Sequence, residues 1–265
     1  MPLRLAVQQA LLPNGTLAEQ LAHAADYGFA GVELNHNARF DVRRHVDVIA
    51  AAMESTGTAV AAICTTSAQD PLVADHEERN RRVTELAELV DAASALGAAG
   101  VISVPIRPSS GFTDPQLPEL AIEMYQRAAG YLGEGNAAIF LEPLNRYEAT
   151  FLNRVGQAAM LARMTEHPRV KALADLYHMN IEETSLETPI AEAGDLLGHV
   201  HIADNTRDEP GAGMMDMAPA FSALTRIGYD GWVSLECRGL SAAPEVALPA
   251  SVRYLQSLWD EVTAT

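Results

Sequence analysis

The sequence predicts an α/β fold, a single (β/α)8 TIM barrel in which residues 1–265 form one domain. Short runs rich in β-branched residues alternate with longer segments of helical periodicity, and no linker or compositional break divides them. The unit apolar-Gly-x-x-Gly-apolar recurs as YGFAGV, LGAAGV and IGYDGW, each time between a predicted helix and a predicted strand. A doubly wound sheet fits less well, because no predicted strand is followed by a Gly-rich phosphate turn.

Eight strands are expected, each at the start of an apolar run. In chain order they begin near Arg4, Gly31, Thr58, Gly100, Ala137, Val170, Leu197 and Gly231. The segments between them are predicted helices. In TELAELVDAASALG, for example, one apolar stripe at helical spacing is formed by Leu86, Leu89, Val90, Ala93 and Leu96. Several helices are expected to end at glycines, which favour the left-handed conformation, namely Gly28, Gly57, Gly97 and Gly228.

The composition excludes several classes of protein. Of 265 residues, 48% are hydrophobic and 20% are charged, which is typical of a folded chain and excludes disorder. The net charge of −17 would repel phosphate, and the basic residues do not cluster, so we expect no nucleic-acid partner. Cys64 and Cys237 lack the paired spacing of a zinc or redox site, which favours a reducing compartment.

No targeting signal is evident. The beginning, MPLRLAVQQALLPNG, does not resemble a signal peptide. No apolar run approaches the roughly 18 residues of a membrane span. We therefore expect a cytoplasmic protein that does not contact membranes.

Polar residues stand at the ends of the last four predicted strands, where an apolar core would not favour them. In strand order they are Glu142, Asp175, His201 and Glu236. Because functional groups of a barrel lie at the carboxyl ends of its strands, three carboxylates and one imidazole are expected to converge there. A divalent cation would offset the repulsion between the carboxylates. This oxygen-rich set predicts one metal ion, with Mn²⁺ preferred over Mg²⁺ and Co²⁺, rather than a structural zinc.

Three further residues are interpreted as lying outside the centre of the site. Glu33, in GVELN, is expected to be a helix cap or a solvated loop residue. His199 shares the facing of His201 but lies one layer deeper, so it is expected to pack behind the metal ligands. Lys171, the only lysine, opens strand 6 near the opposite end of the barrel, which argues against Schiff-base chemistry.

The segments EPLNRYE, DLYHMNIEE, HVHIADNTRDEPGAG and SLE resemble the sugar isomerases and epimerases of the xylose-isomerase-like TIM-barrel superfamily. The branch that they resemble most contains the ketose 3-epimerases (D-tagatose and D-allulose 3-epimerases) and 3-keto-sugar epimerases. The resemblance implies that the metal ligands are Glu142, Asp175, His201 and Glu236, and that the two glutamates are also the catalytic acid and base. It implies substrate contacts from Glu148, His178 and Arg207. Arg238, where that family more usually has an aromatic residue, is expected to contact substrate as well.

The function implied is a metal-dependent sugar epimerase or isomerase that acts on a ketose or a 3-keto-sugar. Removing a proton from the carbon beside a ketone builds negative charge on the carbonyl oxygen, and a metal stabilises the enediolate that forms. Glu142 and Glu236 can flank the substrate, so that one removes a proton and the other returns one to the opposite face. No cluster of glycine and basic residues indicates a phosphate-binding site, which favours an unphosphorylated sugar.

Three alternatives stay open. A lyase would use the same deprotonation to cleave a 3-keto C-glycoside. Hydroxypyruvate isomerase shares EPLN, DLYHM and HIADN, although Glu148 and Arg207 suit a longer polyol. A non-enzymatic, sugar-binding barrel would leave the acid/base pair idle. The sequence also leaves open which sugar is used and whether the chain forms a homo-oligomer, such as a dimer or tetramer.

Overall fold

The computed structural model of the chain describes residues 2–66, 69–105 and 114–264. Eight parallel strands form a closed barrel, in which each strand pairs with the next along the chain and the last pairs with the first. The strands are β1 (Arg4–Gln8), β2 (Gly31–Asn35), β3 (Ala59–Cys64), β4 (Gly100–Ser103), β5 (Ala138–Leu141), β6 (Val170–Asp175), β7 (Leu197–Ile202) and β8 (Trp232–Leu235). The predicted TIM barrel is confirmed, and each predicted strand begins within one residue of its expected position.

Helices surround the barrel and connect successive strands. Within the described ranges they are α1 (Leu17–Asp26), α2 (Val46–Thr56), α3 (His76–Ala95), α4 (Leu117–Gly130), α5 (Val155–Met164), α6 (Leu176–Glu182), α7 (Glu187–Ala193), α8 (Ala218–Arg226) and α9 (Pro244–Thr263). Both α6 and α7 lie between β6 and β7. None of the helices in the part of the chain that the structure describes is both long and apolar enough to span a bilayer.

Local sequence signals set the helix ends. Thr16 and Glu19 form a capping box at the start of α1, in which the Glu19 carboxylate accepts the Thr16 N–H at 2.8 Å and Thr16 Oγ1 accepts the Glu19 N–H at 3.3 Å. The glycines that were expected to end helices all have left-handed φ angles, 96° at Gly28, 71° at Gly57, 69° at Gly97 and 67° at Gly228. These ends keep the connections short, so α1, α2, α3 and α8 each return the chain directly to the amino end of the next strand.

The barrel interior changes character along its axis. Towards the amino ends of the strands it is filled by Phe140 and Trp232, and glycines leave room for their rings. A Cβ atom at Gly100, for example, would lie only 2.7 Å from the Phe140 ring. Towards the carboxyl ends the interior is polar, and side chains such as Glu33 and His201 are fully buried there. Burying charged groups is costly unless they are paired, so this polar layer marks the functional end of the barrel.

Candidate metal centre and active site

The carboxyl ends of β5 to β8 bring four polar side chains together. Glu142 follows β5, Asp175 ends β6, His201 lies in β7 and Glu236 follows β8. One potential ligand atom from each side chain lies within 4.8 Å of those of the other three. The structure therefore produces the predicted convergence of three carboxylates and one imidazole.

His201 joins the two glutamates of this cluster. Its Nδ1 lies 2.9 Å from Glu142 Oε1 and 3.1 Å from Glu236 Oε2. Burial raises the pKa of Glu142 to about 7, and the neighbouring charge of Glu236 adds to this effect. Burial also opposes the ionisation of Glu236, but the charges of His201 and Arg207 hold its pKa well below the usual value. The environment thus separates the pKa values of two adjacent carboxylates, as acid and base roles require.

Arg207 reaches the same cluster from the loop after β7. Its Nη1 donates to both oxygens of Asp175, at 2.6 and 2.9 Å, and its Nη2 donates to Glu236. The guanidinium also lies over the Tyr177 ring, 4.5 Å from its centroid. Arg207 is only 7% exposed, and its φ of 66° is unusual for a residue with a side chain. It is therefore part of the site and not a solvated loop arginine.

Asp204 organises the loop that carries Arg207. Its carboxylate accepts three backbone N–H groups, from Asn205 at 2.8 Å, Gly211 at 3.0 Å and Met215 at 3.0 Å. Its backbone carbonyl accepts the N–H of Arg207 at 2.9 Å. Burial opposes ionisation of Asp204, but these backbone hydrogen bonds hold its pKa below the usual value. No pattern in the sequence indicates this role, because the hydrogen bonds join positions without periodic spacing.

The residues expected to contact substrate line one cavity of about 240 Å³ beside the cluster. Arg238 Nη2 lies 3.0 Å from Glu148 Oε1. Asn145 Nδ2 donates to the same oxygen at 3.1 Å and to His178 Nδ1 at 2.7 Å. The cavity is lined by all four predicted substrate-contact residues and both glutamates of the cluster, Glu148, His178, Arg207, Arg238, Glu142 and Glu236. Sequence reasoning missed Asn145, which links two of them.

The interpretation of Glu33 as a helix cap or solvated residue is wrong. Its side chain is fully buried inside the barrel and accepts hydrogen bonds from Gln8 Nε2 at 2.9 Å, His199 Nε2 at 2.9 Å and His201 Nε2 at 3.1 Å. His199 does lie behind His201, as expected. A signal for Glu33 was present in the sequence, because it lies within a strand between two apolar residues that face outward, so alternation directs it inward.

Comparisons with known proteins agree with this geometry. A family model described as the xylose isomerase-like TIM barrel matches residues 21–258. The chain belongs to this family. The predicted superfamily is therefore confirmed.

Two relatives and one solved structure illustrate what this xylose isomerase-like barrel is similar to. The 3-dehydro-D-guloside 4-epimerase of Escherichia coli is 28% identical over 94% of this chain and 97% of its own length. The ketose 3-epimerase of Arthrobacter globiformis is 33% identical over 73% of this chain and 66% of its own length. The apo crystal structure of 3-keto-D-glucoside 4-epimerase from Escherichia coli superposes with a TM-score of 0.85 at 26% identity, covering 96% of this chain and 99% of that one.

Lys171 of this xylose isomerase-like barrel lies away from the site, as predicted. Its Nζ donates to the carbonyl of Asp195 at 2.7 Å. It lines a separate cavity of about 470 Å³, together with Arg4 and Trp232, at the amino ends of the strands. Since the sequence contains no other lysine, no primary side-chain amine is available at the mouth for a Schiff base.

Proposed function

We propose that this protein is a metal-dependent sugar epimerase that inverts a hydroxyl-bearing carbon beside a ketone, on a ketose or a 3-keto-sugar. The pairing of Glu142 with Glu236 carries this proposal. The two carboxylates come from β5 and β8, contact the same nitrogen of His201, and line the same cavity. The epimerases matched over most of their length act on such sugars, which supports the same reaction here.

The two glutamates supply the proton transfers. Burial raises the pKa of Glu142 to about 7, so its carboxylate is a stronger base than that of an exposed glutamate and is suited to remove a proton from the substrate carbon. Glu236 lines the same cavity as the second proton-transfer group, and the charges of His201 and Arg207 keep it ionised although burial opposes this. When the second carboxyl group returns a proton to the other face of the planar intermediate, the configuration is inverted. His178 and Arg207, in the same cavity, are placed to hold substrate oxygens.

The metal is assigned to Glu142, Asp175, His201 and Glu236. Three carboxylates and one imidazole, with ligand atoms within 4.8 Å of one another, fit a single hard cation that accepts oxygen ligands and one nitrogen. Mn²⁺ is the ion we propose, before Mg²⁺ and Co²⁺. When bound, it supplies positive charge that stabilises negative charge developing on the substrate's carbonyl oxygen.

The test is solvent deuterium uptake. Metal-loaded protein in D₂O is incubated with a panel of ketoses and 3-keto-glycosides, and the products are followed by NMR. We expect deuterium at the carbon whose configuration inverts, together with the new epimer. Lys171→Gln is the matched control, since this side chain lines the cavity at the other end of the barrel, and it is expected to leave exchange unchanged.

The possible products separate the alternatives. Release of an aglycone from a 3-keto-glycoside would identify a lyase instead of an epimerase. Conversion of hydroxypyruvate with no reaction on longer sugars would favour hydroxypyruvate isomerase. Binding of a sugar without any deuterium exchange, in protein shown to contain metal, would contradict the enzymatic proposal.

A further inference from the structure

A second buried cluster lies directly behind the proposed metal ligands, and its central residues come from β1 and β2, which carry none of the ligands. Its centre is Glu33 of β2, whose carboxylate is fully buried and accepts from Gln8 of β1 and from His199 and His201 of β7. A carboxylate in such a place is costly unless its hydrogen-bond capacity is used. Here three separate donors use it.

The two ring nitrogens of His201 have different partners. Nδ1 faces Glu142 and Glu236. Nε2 faces Glu33, and each of the two Glu33 carboxylate oxygens lies 3.1 Å from Nε2. The ring also makes an edge contact with His199, with centroids 5.2 Å apart. The orientation of the imidazole is therefore fixed from the side opposite the other ligands.

We propose that Glu33 is a positioning residue that sets which nitrogen of His201 binds the metal. Because a carboxylate only accepts hydrogen bonds, Nε2 must carry a hydrogen, and in the neutral imidazole this leaves the lone pair of Nδ1 free. Nδ1 is the nitrogen that faces two of the other ligands, Glu142 and Glu236. This inference rests on the proposed metal centre, and it adds a residue that contacts no substrate.

Gln8 extends the same support to a second ligand. Its Nε2 donates at 2.9 Å to Glu33 Oε1 and at 2.9 Å to Glu236 Oε1. The Gln8 amide thus links Oε1 of Glu236 to the Glu33 carboxylate, while the other Glu236 oxygen, Oε2, faces His201. One buried group on β1 and one on β2 thereby hold ligands that come from β7 and β8.

The test measures metal affinity instead of activity alone. Chelator-treated protein is titrated with Mn²⁺, and free Mn²⁺ is counted by its electron paramagnetic resonance signal. For Glu33→Leu we expect affinity to fall about 10- to 100-fold, the scale found when outer-shell partners of a ligand are removed. For Glu33→Gln we expect a smaller fall, since the amide oxygen can still accept from Nε2. Turnover of both variants should recover substantially at saturating Mn²⁺.

Thr58→Val is the matched control. Thr58 is buried just before β3, at the other end of the barrel, and its Oγ1 donates to the Leu21 carbonyl at 3.0 Å. The substitution removes a buried hydrogen bond at nearly constant volume without touching the ligands. We expect it to lower thermal stability and to leave Mn²⁺ affinity within twofold of the wild type.

The outcomes separate this inference from the proposed function. Suppose that the wild type binds Mn²⁺ and that both folded Glu33 variants bind it as tightly as the control Thr58→Val does. That result overturns the positioning role of Glu33 and leaves the metal centre standing. If Glu33→Leu does not fold, the nearly isosteric Glu33→Gln decides, and unchanged affinity overturns the role. If the wild type itself binds none of Mn²⁺, Mg²⁺ and Co²⁺, the metal part of the proposed function fails and the inference fails with it.

Discussion

Asp204→Ala should disable Arg207 without touching the reacting groups. Asp204 is 1% exposed and accepts three backbone N–H groups in the loop that carries the arginine. The same loop holds Arg207 at a φ of 66°, a conformation that costs about 1–3 kcal/mol and persists only when its surroundings enforce it. Without the carboxylate, we expect Arg207 to relax away from Asp175 and Glu236.

The magnitude follows from the bonds that are lost. Hydrogen bonds to a charged group contribute about 1.5–3 kcal/mol each, and part of this returns when water reaches the freed N–H groups. We therefore expect a loss of about 2–4 kcal/mol of stability, which lowers Tm by roughly 5–15 °C for a chain of this size. We expect Arg207 to donate one or two charge-assisted hydrogen bonds to the substrate. Losing them should lower kcat/KM roughly ten- to several-hundred-fold, as in Arg207→Ala.

A double-mutant cycle distinguishes this indirect effect from a general loss of structure. If Asp204 acts through Arg207, the Asp204→Ala/Arg207→Ala variant should have the kcat/KM of Arg207→Ala alone. Additive losses in kcat/KM would refute the reasoning. Asp216→Ala is the control. This residue of the same loop is exposed, and its carboxylate accepts a hydrogen bond from the Ala218 N–H at 3.1 Å, so its loss should leave kcat/KM unchanged.

Three further predictions concern the metal centre. Metal content is first measured on Glu142→Gln and Glu236→Gln. At least one of these variants should then incorporate solvent deuterium into substrate while forming little epimer. Near-normal epimer formation by either metal-loaded variant would contradict a two-base mechanism. Asp175→Asn should weaken Mn²⁺ binding at least tenfold. Its circular dichroism spectrum should be unchanged, because the amide oxygen of asparagine can still cap α6. Full metal occupancy with normal turnover would contradict the assignment of Asp175 as a ligand. Burial raises the pKa of Glu142 to about 7, and the charges of Glu33, Glu236 and Glu142 outweigh burial and raise the pKa of His201 well above its usual value. Metal must therefore displace protons from both ligands, so Mn²⁺ affinity should rise with pH through neutrality by about tenfold per pH unit for each proton displaced, whereas a flat profile would show that no proton is displaced.

The architecture could be predicted from the sequence because its signals are local. Alternation of strand and helix periodicity, with glycines at helix ends, is readable within short windows, and the strands begin within one residue of expectation. The convergence of Glu142, Asp175, His201 and Glu236 was also predictable, because each stands at the end of its strand and closure of a parallel barrel brings those ends together.

The support around these residues could not be predicted in the same way. The role of Glu33 depends on β2 facing β7 across the barrel, a contact between residues 168 positions apart in the chain. The links from Gln8 to Glu236 and from Asp204 to its loop likewise join groups whose spacing carries no periodic signal. Sequence patterns report which face of an element a residue occupies. They do not report which buried partner it meets.

The sequence by itself therefore determined the barrel and the identity of the groups that meet at its mouth, because strand order and strand ends fix both. Only the tertiary structure decided how those groups are held. It directs Nδ1 of His201 towards the glutamates and Nε2 towards Glu33, and it brings Arg207 out of its loop onto Asp175. The physical reason is that hydrogen-bond geometry between distant segments is set by barrel closure and by the need to pair every buried charge.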